Sequence, residues 1–281
     1  MAERPGILYV VATPIGNLDD LTPRAREVLG EVDIVAAEDT RHTGTLLAHL
    51  GLQTPLLSFH DHNEVERAAQ LVERLLRGDS VALVSDAGTP LISDPGFNLV
   101  RAARVAGITV SPIPGACALV AALCVSGLPT DRFVFEGFLP AKSQARRERL
   151  MLLAADTRTL VFYESIHRLA ESLADMLVEF GADRQAVVAR ELTKLHEGVQ
   201  AGLLSELSAW TRTDPMAAKG EAVVVAGAAA RVESNALDAE AVLRILLAEL
   251  PLKQATALTA EITGLKKNAL YERALEITGE K

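Results

Sequence analysis

What most constrains this chain is an alternation: from Ile7 to Val125, short aliphatic runs take turns with segments whose apolar residues recur at helical spacing. Ile7–Ala12, Asp33–Glu38, Leu56–Phe59, Val81–Ser85 and Thr109–Ile113 read as strands. Helices are expected from Thr22-Pro23 to Leu29, near Thr43–His49, and over Asn63–Arg77, Pro95–Ala106 and Ala116–Val125. In Asn63–Arg77, for instance, Val65, Ala68, Ala69, Leu71, Val72, Leu75 and Leu76 fall on one face of a 3.6-residue period. Strands separated by helices imply a mainly parallel sheet with right-handed crossovers. Aromatic residues are 4% of a chain that is 49% hydrophobic, so the core must be aliphatic, as in parallel strands buried on both faces.

The pattern changes after Gly127-Leu-Pro129. Phe133–Phe138, Thr159–Ser165, Ala186–Glu191, His196–Ala201 and Glu221–Gly227 are strand-like, with helices near Ser143–Ala154, His167–Phe180 and Leu203–Trp210. The short gap between Ala186–Glu191 and His196–Ala201 fits an antiparallel hairpin, so the second sheet should be mixed. From Val232 onward only helices are expected, over Leu237–Leu250, Lys253–Ile262 and Lys266–Ile277, separated by Pro251 and Gly264. The fold class is therefore α/β, in two α/β domains over 1–127 and 128–230 with a helical extension over 231–281.

Several classes are not expected. No apolar run reaches the ~18 residues of a membrane span. Met1–Gly6, with Glu3 and Arg4, leads straight into a strand, unlike a secretory leader, so a cytoplasmic protein is expected. Cys117 and Cys124 are too few for a disulfide framework or metal site and read as reduced, buried residues. The formal net charge of −9 means that any nucleic acid must be held by local basic patches on an acidic body.

The chemistry should lie in loops at the carboxyl ends of strands, where open α/β sheets bind ligands. Thr13-Pro-Ile-Gly-Asn-Leu-Asp-Asp20 carries turn residues after the first strand, which a plain βα turn would also explain. The stronger signal is Val81–Gly96, a buried strand followed by a loop with two Gly, two Pro and two Asp. Gly88 allows close backbone approach and Asp86 accepts hydrogen bonds, whereas Asp94-Pro95 has the form of a helix start, which makes Asp94 a cap. Pro112–Ala118 again follows a strand and opens a helix whose first amides are free to hold a polar ligand. Glu38-Asp-Thr-Arg-His42 packs five polar residues after the second strand, suited equally to orienting a substrate and to capping the next helix. His60-Asp-His62 lacks a third metal ligand, and neither a Gly-x-Gly-x-x-Gly nor a phosphate-cradling lysine loop is present.

Thr13–Leu18, Ala37–Thr43, Ser85–Pro90, Ser93–Gly96 and Phe162–Ser165 together resemble the small-subunit ribosomal RNA methyltransferase I family, within the tetrapyrrole-methylase-like (class III) methyltransferases. Glu136-Gly-Phe-Leu-Pro140, Arg190-Glu-Leu-Thr-Lys194 and Lys219-Gly-Glu221 extend the likeness, which runs from Leu8 to Gly227. The resemblance implies S-adenosylmethionine folded in a cleft between two α/β domains, 2′-O-methylation of a cytidine in small-subunit (16S) ribosomal RNA, and homodimers. Carried over motif by motif, it brings the cofactor against Pro14, Asp86, Ala87, Gly88, Thr89, Cys117, Ala118, Tyr163 and Gly220. Here Ser85-Asp-Ala replaces the Gly-Asp-Pro of many tetrapyrrole methylases and keeps the acid.

A ribose hydroxyl is a weak nucleophile, so a base or an alkoxide-stabilising cation is needed, and Glu38, Arg41 and His42 are nominated. Lys142, Arg146, Arg147 and Arg149 stand against one acid, Glu148, and form a candidate RNA contact, with a solvated helix face as the alternative. Gln254–Ala274 is faintly similar to a helix-turn-helix, but a hairpin for dimer packing explains the same spacing, and Glu261, Glu272 and Glu276 favour packing. The rival readings are a methyltransferase of the same fold acting on a small molecule such as a tetrapyrrole, and a non-catalytic ribosome-binding factor.

Overall fold

The computed structural model describes residues 5–214, 220–230 and 236–279. The chain forms two compact units, Met1–Ala229 and Ala230–Lys281. Lys219, part of one motif quoted above, lies outside the described residues.

The first unit holds two five-stranded sheets. The first sheet is all parallel in the order β3-β2-β4-β1-β5, from β1 (Ile7–Val11), β2 (Ile34–Ala37), β3 (Leu56–Ser58), β4 (Val81–Val84) and β5 (Thr109–Ile113). Every residue of β2 and β4 is buried, as continuous aliphatic runs between two helical layers should be. Helices α1 (Pro23–Glu31) and α2 (Thr40–Leu50) cover one face, where Leu29 and Leu47 meet Val35 and Val84. On the other face, α3 (Glu64–Leu76) and α4 (Phe97–Val105) bring Leu71, Leu75 and Leu99 against Leu8, Ala36 and Leu83. The adjacent strands β1 and β4 thus send their chains to opposite faces, which opens a crevice between their carboxyl ends.

The second sheet has the order β6-β7-β10-β8-β9, from β6 (Phe133–Phe138), β7 (Thr159–Ser165), β8 (Gln185–Arg190), β9 (Gly198–Leu203) and β10 (Glu221–Ala226). Only β6 and β7 run parallel, and β8–β9 is the expected antiparallel hairpin with its second strand two residues later. Helices α6 (Ser143–Leu153), α7 (Ile166–Phe180) and α8 (Leu204–Thr213) cover one face. The other face meets α5 (Ala118–Ser126), whose Leu119, Ala122 and Leu123 pack on Val161, Val187 and Val223. A helix continuous with the first sheet thus buries its inner side on the second.

Two local expectations are corrected. Helix α4 begins at Phe97 rather than Pro95, behind Gly96 at φ 135°. Its free amides are taken by Glu64, which accepts from Gly96 N at 2.9 Å and Asn98 N at 3.0 Å, so Asp94 is not the cap. Cys117 is half-buried and Cys124 exposed, although both are free thiols. The second unit consists of α9 (Ala236–Glu249), α10 (Leu252–Thr263) and α11 (Lys267–Thr278) around Leu243, Ala255 and Ala274. Among the described residues, no helix is long and apolar enough to cross a membrane.

Candidate active site

The crevice is closed from the side by a short backbone clasp. Thr13 N donates to Gly88 O at 2.8 Å and Gly88 N to Thr13 O at 3.1 Å, which joins the loop after β1 to the loop after β4. Gly88 adopts φ 84°, a conformation that side chains resist, and an added Cβ would press on Ile15. Thr89 Oγ1 donates to Ala116 O at 3.0 Å and ties in the loop after β5. The loop after β2 is stitched in as well: Asp86 Oδ1 accepts from Asp39 N at 3.0 Å, and Glu38 Oε2 accepts from Asp86 N at 3.3 Å.

These loops form one wall of a cleft of about 500 Å³, and the ends of β7, β8 and β10 form the other. Ile15, Ile92, Ala118, Leu192 and Val223 give it an apolar lining, while Glu38, Asp86 and Asp94 supply carboxylates. Burial raises the pKa of Glu38, and the nearby charges of Asp86, Asp61 and Asp39 add to the shift. Burial also pushes Asp94 up to about 6, helped by Glu38 and Asp86 and opposed by a hydrogen bond with Ser85. The electrostatics of the cleft therefore favour a cation, or a ligand rich in hydroxyl donors.

From the second sheet comes Tyr163, whose hydroxyl oxygen accepts from Leu119 N at 3.1 Å and so occupies one of the amides at the start of α5. Phe135 and Phe138 pack edge-on against its ring. Lys194 reaches across the cleft from the β8–β9 loop, its stem lying where any side chain at Gly16 would stand. Its ammonium bridges Glu191 at 3.0 Å and Glu221 at 3.1 Å. Burial works against that charge, but the two hydrogen bonds outweigh it and hold the lysine protonated. Among the described residues, the four non-glycine residues with positive φ are Leu91, Ser93, Glu191 and Thr193, all in the two loops that border the cleft. Such strain persists only where surrounding structure enforces it.

Of the residues expected at the cofactor, Asp86, Ala87, Gly88, Thr89, Ala118, Tyr163 and Gly220 line the cleft, together with Glu38. Pro14 and Cys117 do not, but their neighbours Ile15 and Ala118 do. Arg41 and His42 lie outside, exposed on the first turn of α2. Asp39 caps that helix by accepting from Arg41 N at 2.8 Å, and the Arg41 side chain folds back onto the same carboxylate. The α6 cluster is corrected more deeply. Arg146 is buried against Asp175 and Glu171, Arg147 pairs with Glu179 and Arg149 with Glu136, so the local charge excess is neutralised in space; of the four, Lys142 alone is exposed without an ion pair among the described residues. Sequence reasoning missed Asp94, Lys194, Glu191 and Glu221. The Arg190–Lys194 motif offered a signal for Glu191 and Lys194 and the Lys219-Gly-Glu221 motif one for Glu221, whereas the helix-start form of Asp94-Pro95 concealed the first.

The tetrapyrrole (corrin/porphyrin) methylase family model matches residues 7–208, and the model of the RsmI C-terminal HTH domain matches residues 233–278. The second match replaces the preference for dimer packing at Gln254–Ala274 with a helix-turn-helix, in which Gly264 at φ 70° turns between α10 and α11. Proteins named ribosomal RNA small subunit methyltransferase I are similar along nearly the whole chain. The one from Pseudomonas aeruginosa is 57% identical over 98% of this chain and 99% of its own length, and that of Escherichia coli O157:H7 is 55% identical over 98% and 96%. Among solved structures, the methyltransferase CobJ is similar with a TM-score of 0.60 at 23% identity, over 80% of this chain and 95% of that one. Uroporphyrin-III C-methyltransferase from Thermus thermophilus, complexed with S-adenosyl homocysteine, has a TM-score of 0.54 at 20% identity, over 79% and 97%.

Proposed function

Because the chain belongs to the tetrapyrrole methylase family, and within it to the small-subunit ribosomal RNA methyltransferase I family, we propose that it methylates the ribose 2′-hydroxyl of a cytidine in small-subunit ribosomal RNA, with S-adenosylmethionine as donor. The observation that carries this reading is the cleft in which Glu38, Asp86 and Asp94 share space with an apolar lining. That combination suits a cationic ligand with a ribose diol and a flat apolar ring system. Bound there, the cofactor supplies a methyl group already activated by a positively charged sulfur, which leaves the protein mainly the task of alignment. Asp86 has one oxygen on Asp39 N and a second available for the ligand. Glu38 and Asp94, both raised in pKa, are the carboxylates suited to accept the proton of an attacking hydroxyl. Arg41 and His42 act from the exposed turn of α2, where they can reach RNA but not the cleft floor.

Two measurements test the proposal. Calorimetry should show S-adenosylmethionine binding that weakens at least about tenfold in Asp86→Ala, the loss of one charge-assisted hydrogen bond. Labelled methyl should then be offered to unmodified small ribosomal subunits, to naked ribosomal RNA and to a tetrapyrrole. A product dinucleotide that resists alkaline hydrolysis and contains cytidine supports the reading; label in a base or a tetrapyrrole sinks it. For the homodimer we nominate the outer face of α5, an uncharged helix on which Val120 is 52% and Val125 51% exposed. Val120→Glu should convert the dimer to a monomer by light scattering.

A further inference from the structure

The cleft wall gathers carboxylates on a chain of net charge −9, so a polyanion must be held from its rim. The arginines of the expected α6 cluster already face Asp175, Glu179 and Glu136, which neutralises much of its charge excess. Helix α4 offers a different surface. It starts at Phe97, separated by Pro95 and Gly96 from the cleft-lining pair Ser93 and Asp94, and it contains no acidic residue. Its outward stripe runs Phe97, Arg101, Arg104 and Val105, at helical spacings of four, three and one. Phe97 is 62% exposed and Val105 85%, and Arg101 and Arg104 are both exposed. Neither arginine has an ion pair or side-chain hydrogen bond among the described residues, unlike the arginines of α6, α7 and α11.

An exposed ring beside a cleft, followed by two unpaired guanidinium groups, is the combination that single-stranded RNA uses: a base stacks on the ring and phosphates lie on the cations. A second copy of the chain fits less well, because a two-fold contact would press these arginines toward their own images. The helix is also well anchored for such a role, since Glu64 holds the amides of Gly96 and Asn98 and the side chain of Asn98.

We infer that the outer face of α4 is an RNA-docking surface: Phe97 stacks on a base flanking the target nucleotide, and Arg101 and Arg104 hold the phosphates that follow. The inference rests on the RNA methyltransferase reading but is tested by binding, so the two can fail separately. The probes are unmodified small ribosomal subunits and naked ribosomal RNA, titrated at several salt concentrations against the full chain and its variants. Arg101→Gln/Arg104→Gln should weaken RNA binding by tenfold or more and flatten the plot of log K against log salt by about 1.4, at ~0.7 for each single-strand phosphate lost. Phe97→Ala should cost about tenfold and Phe97→Trp should restore it. Affinity for S-adenosylmethionine, measured on the same samples, should stay at the wild-type value and so show that the cleft is intact. An unchanged RNA affinity and salt slope in the arginine pair would overturn the inference. So would a loss of RNA binding that merely follows a change in oligomeric mass, since the face would then join copies of the chain. RNA bound normally through α4 but never methylated would instead overturn the activity and leave this surface standing.

Discussion

Asp94 shows how a single residue can serve the site at the expense of the fold. Its carboxyl is raised to about 6, first by burial and then by the charges of Glu38 and Asp86. A raised folded-state pKa means that the native state binds the proton more tightly than the unfolded chain. The associated stability is therefore complete below the unfolded value near 4 and is lost as pH rises through 6. At pH 7.5 the native state keeps a carboxylate where it prefers a neutral group, so Asp94→Asn should stabilise the protein there. Asp94 is partly exposed, so solvent screening limits the gain to the order of 1 kcal/mol, or about 2–4 °C in Tm. Thermal melts at pH 7.5 and pH 5 check this, since the advantage of the variant must shrink at the lower pH. The same variant should methylate more slowly, because the group removed is one of the two suited to take the proton. A variant that is no more stable at pH 7.5 would show that the carboxylates do not strain one another.

At the scale of elements, α6 separates what a sequence displays from what a fold does with it. Four basic residues in eight positions look like an RNA patch, yet Arg146 is 1% exposed and its Nε holds Asp175 at 2.6 Å, while its Nη1 donates to the carbonyls of both Pro140 and Ala141. Arg146→Ala should therefore cost about 3–5 kcal/mol in urea unfolding, because it leaves a carboxylate facing an empty buried space. Arg149→Ala, on a half-exposed pair, should change stability little and RNA affinity hardly at all. The contrast explains how much was legible beforehand. Strands such as β2 and β4, and the Asp39 cap of α2, follow from local rules of period and hydrogen bonding, and they appear where those rules put them. In the loop Asp86–Thr89, which lines the cleft, Asp86 and Gly88 are legible as ligand-loop residues in the chain itself, whereas Ala87 and Thr89 follow only from the family resemblance. The neutralised arginines and Lys194 depend on acids 13 (Arg149–Glu136), 27 (Lys194–Glu221) and 32 (Arg147–Glu179) residues away, and Asp94 responds to Glu38 from the loop after β2; no local rule reports which acid a fold will bring to a base. Glu64 illustrates this most simply: it caps α4 from a different helix, 32 residues upstream.

For the whole molecule, the two units divided at Ala229 are expected to carry different tasks. Among the described residues, those that line the cleft lie between Ile15 and Val223, so the first unit supplies the lining of the proposed cofactor site. The second unit has its own small core around Leu243, Ala255 and Ala274. It also sorts its cations. Arg244 and Arg273 are spent on Glu240 and Glu276, whereas Lys253, Lys266 and Lys267 are exposed without ion pairs among the described residues. Lys266 and Lys267 open α11, the second helix of the helix-turn-helix and the one whose first residues meet nucleic acid in that motif. On an acidic protein, each such phosphate contact forms a large share of the attraction available. A chain ended at Ala229 should therefore bind S-adenosylmethionine as the full chain does, while its affinity for ribosomal RNA falls at least about tenfold at physiological salt. Parallel calorimetric and RNA-binding titrations of the two chains make the comparison. If the short chain lost the cofactor as well, the second unit would have to support the cleft; if it kept full RNA affinity, the lysines of α11 would be surface charge, and recognition would belong entirely to the first unit.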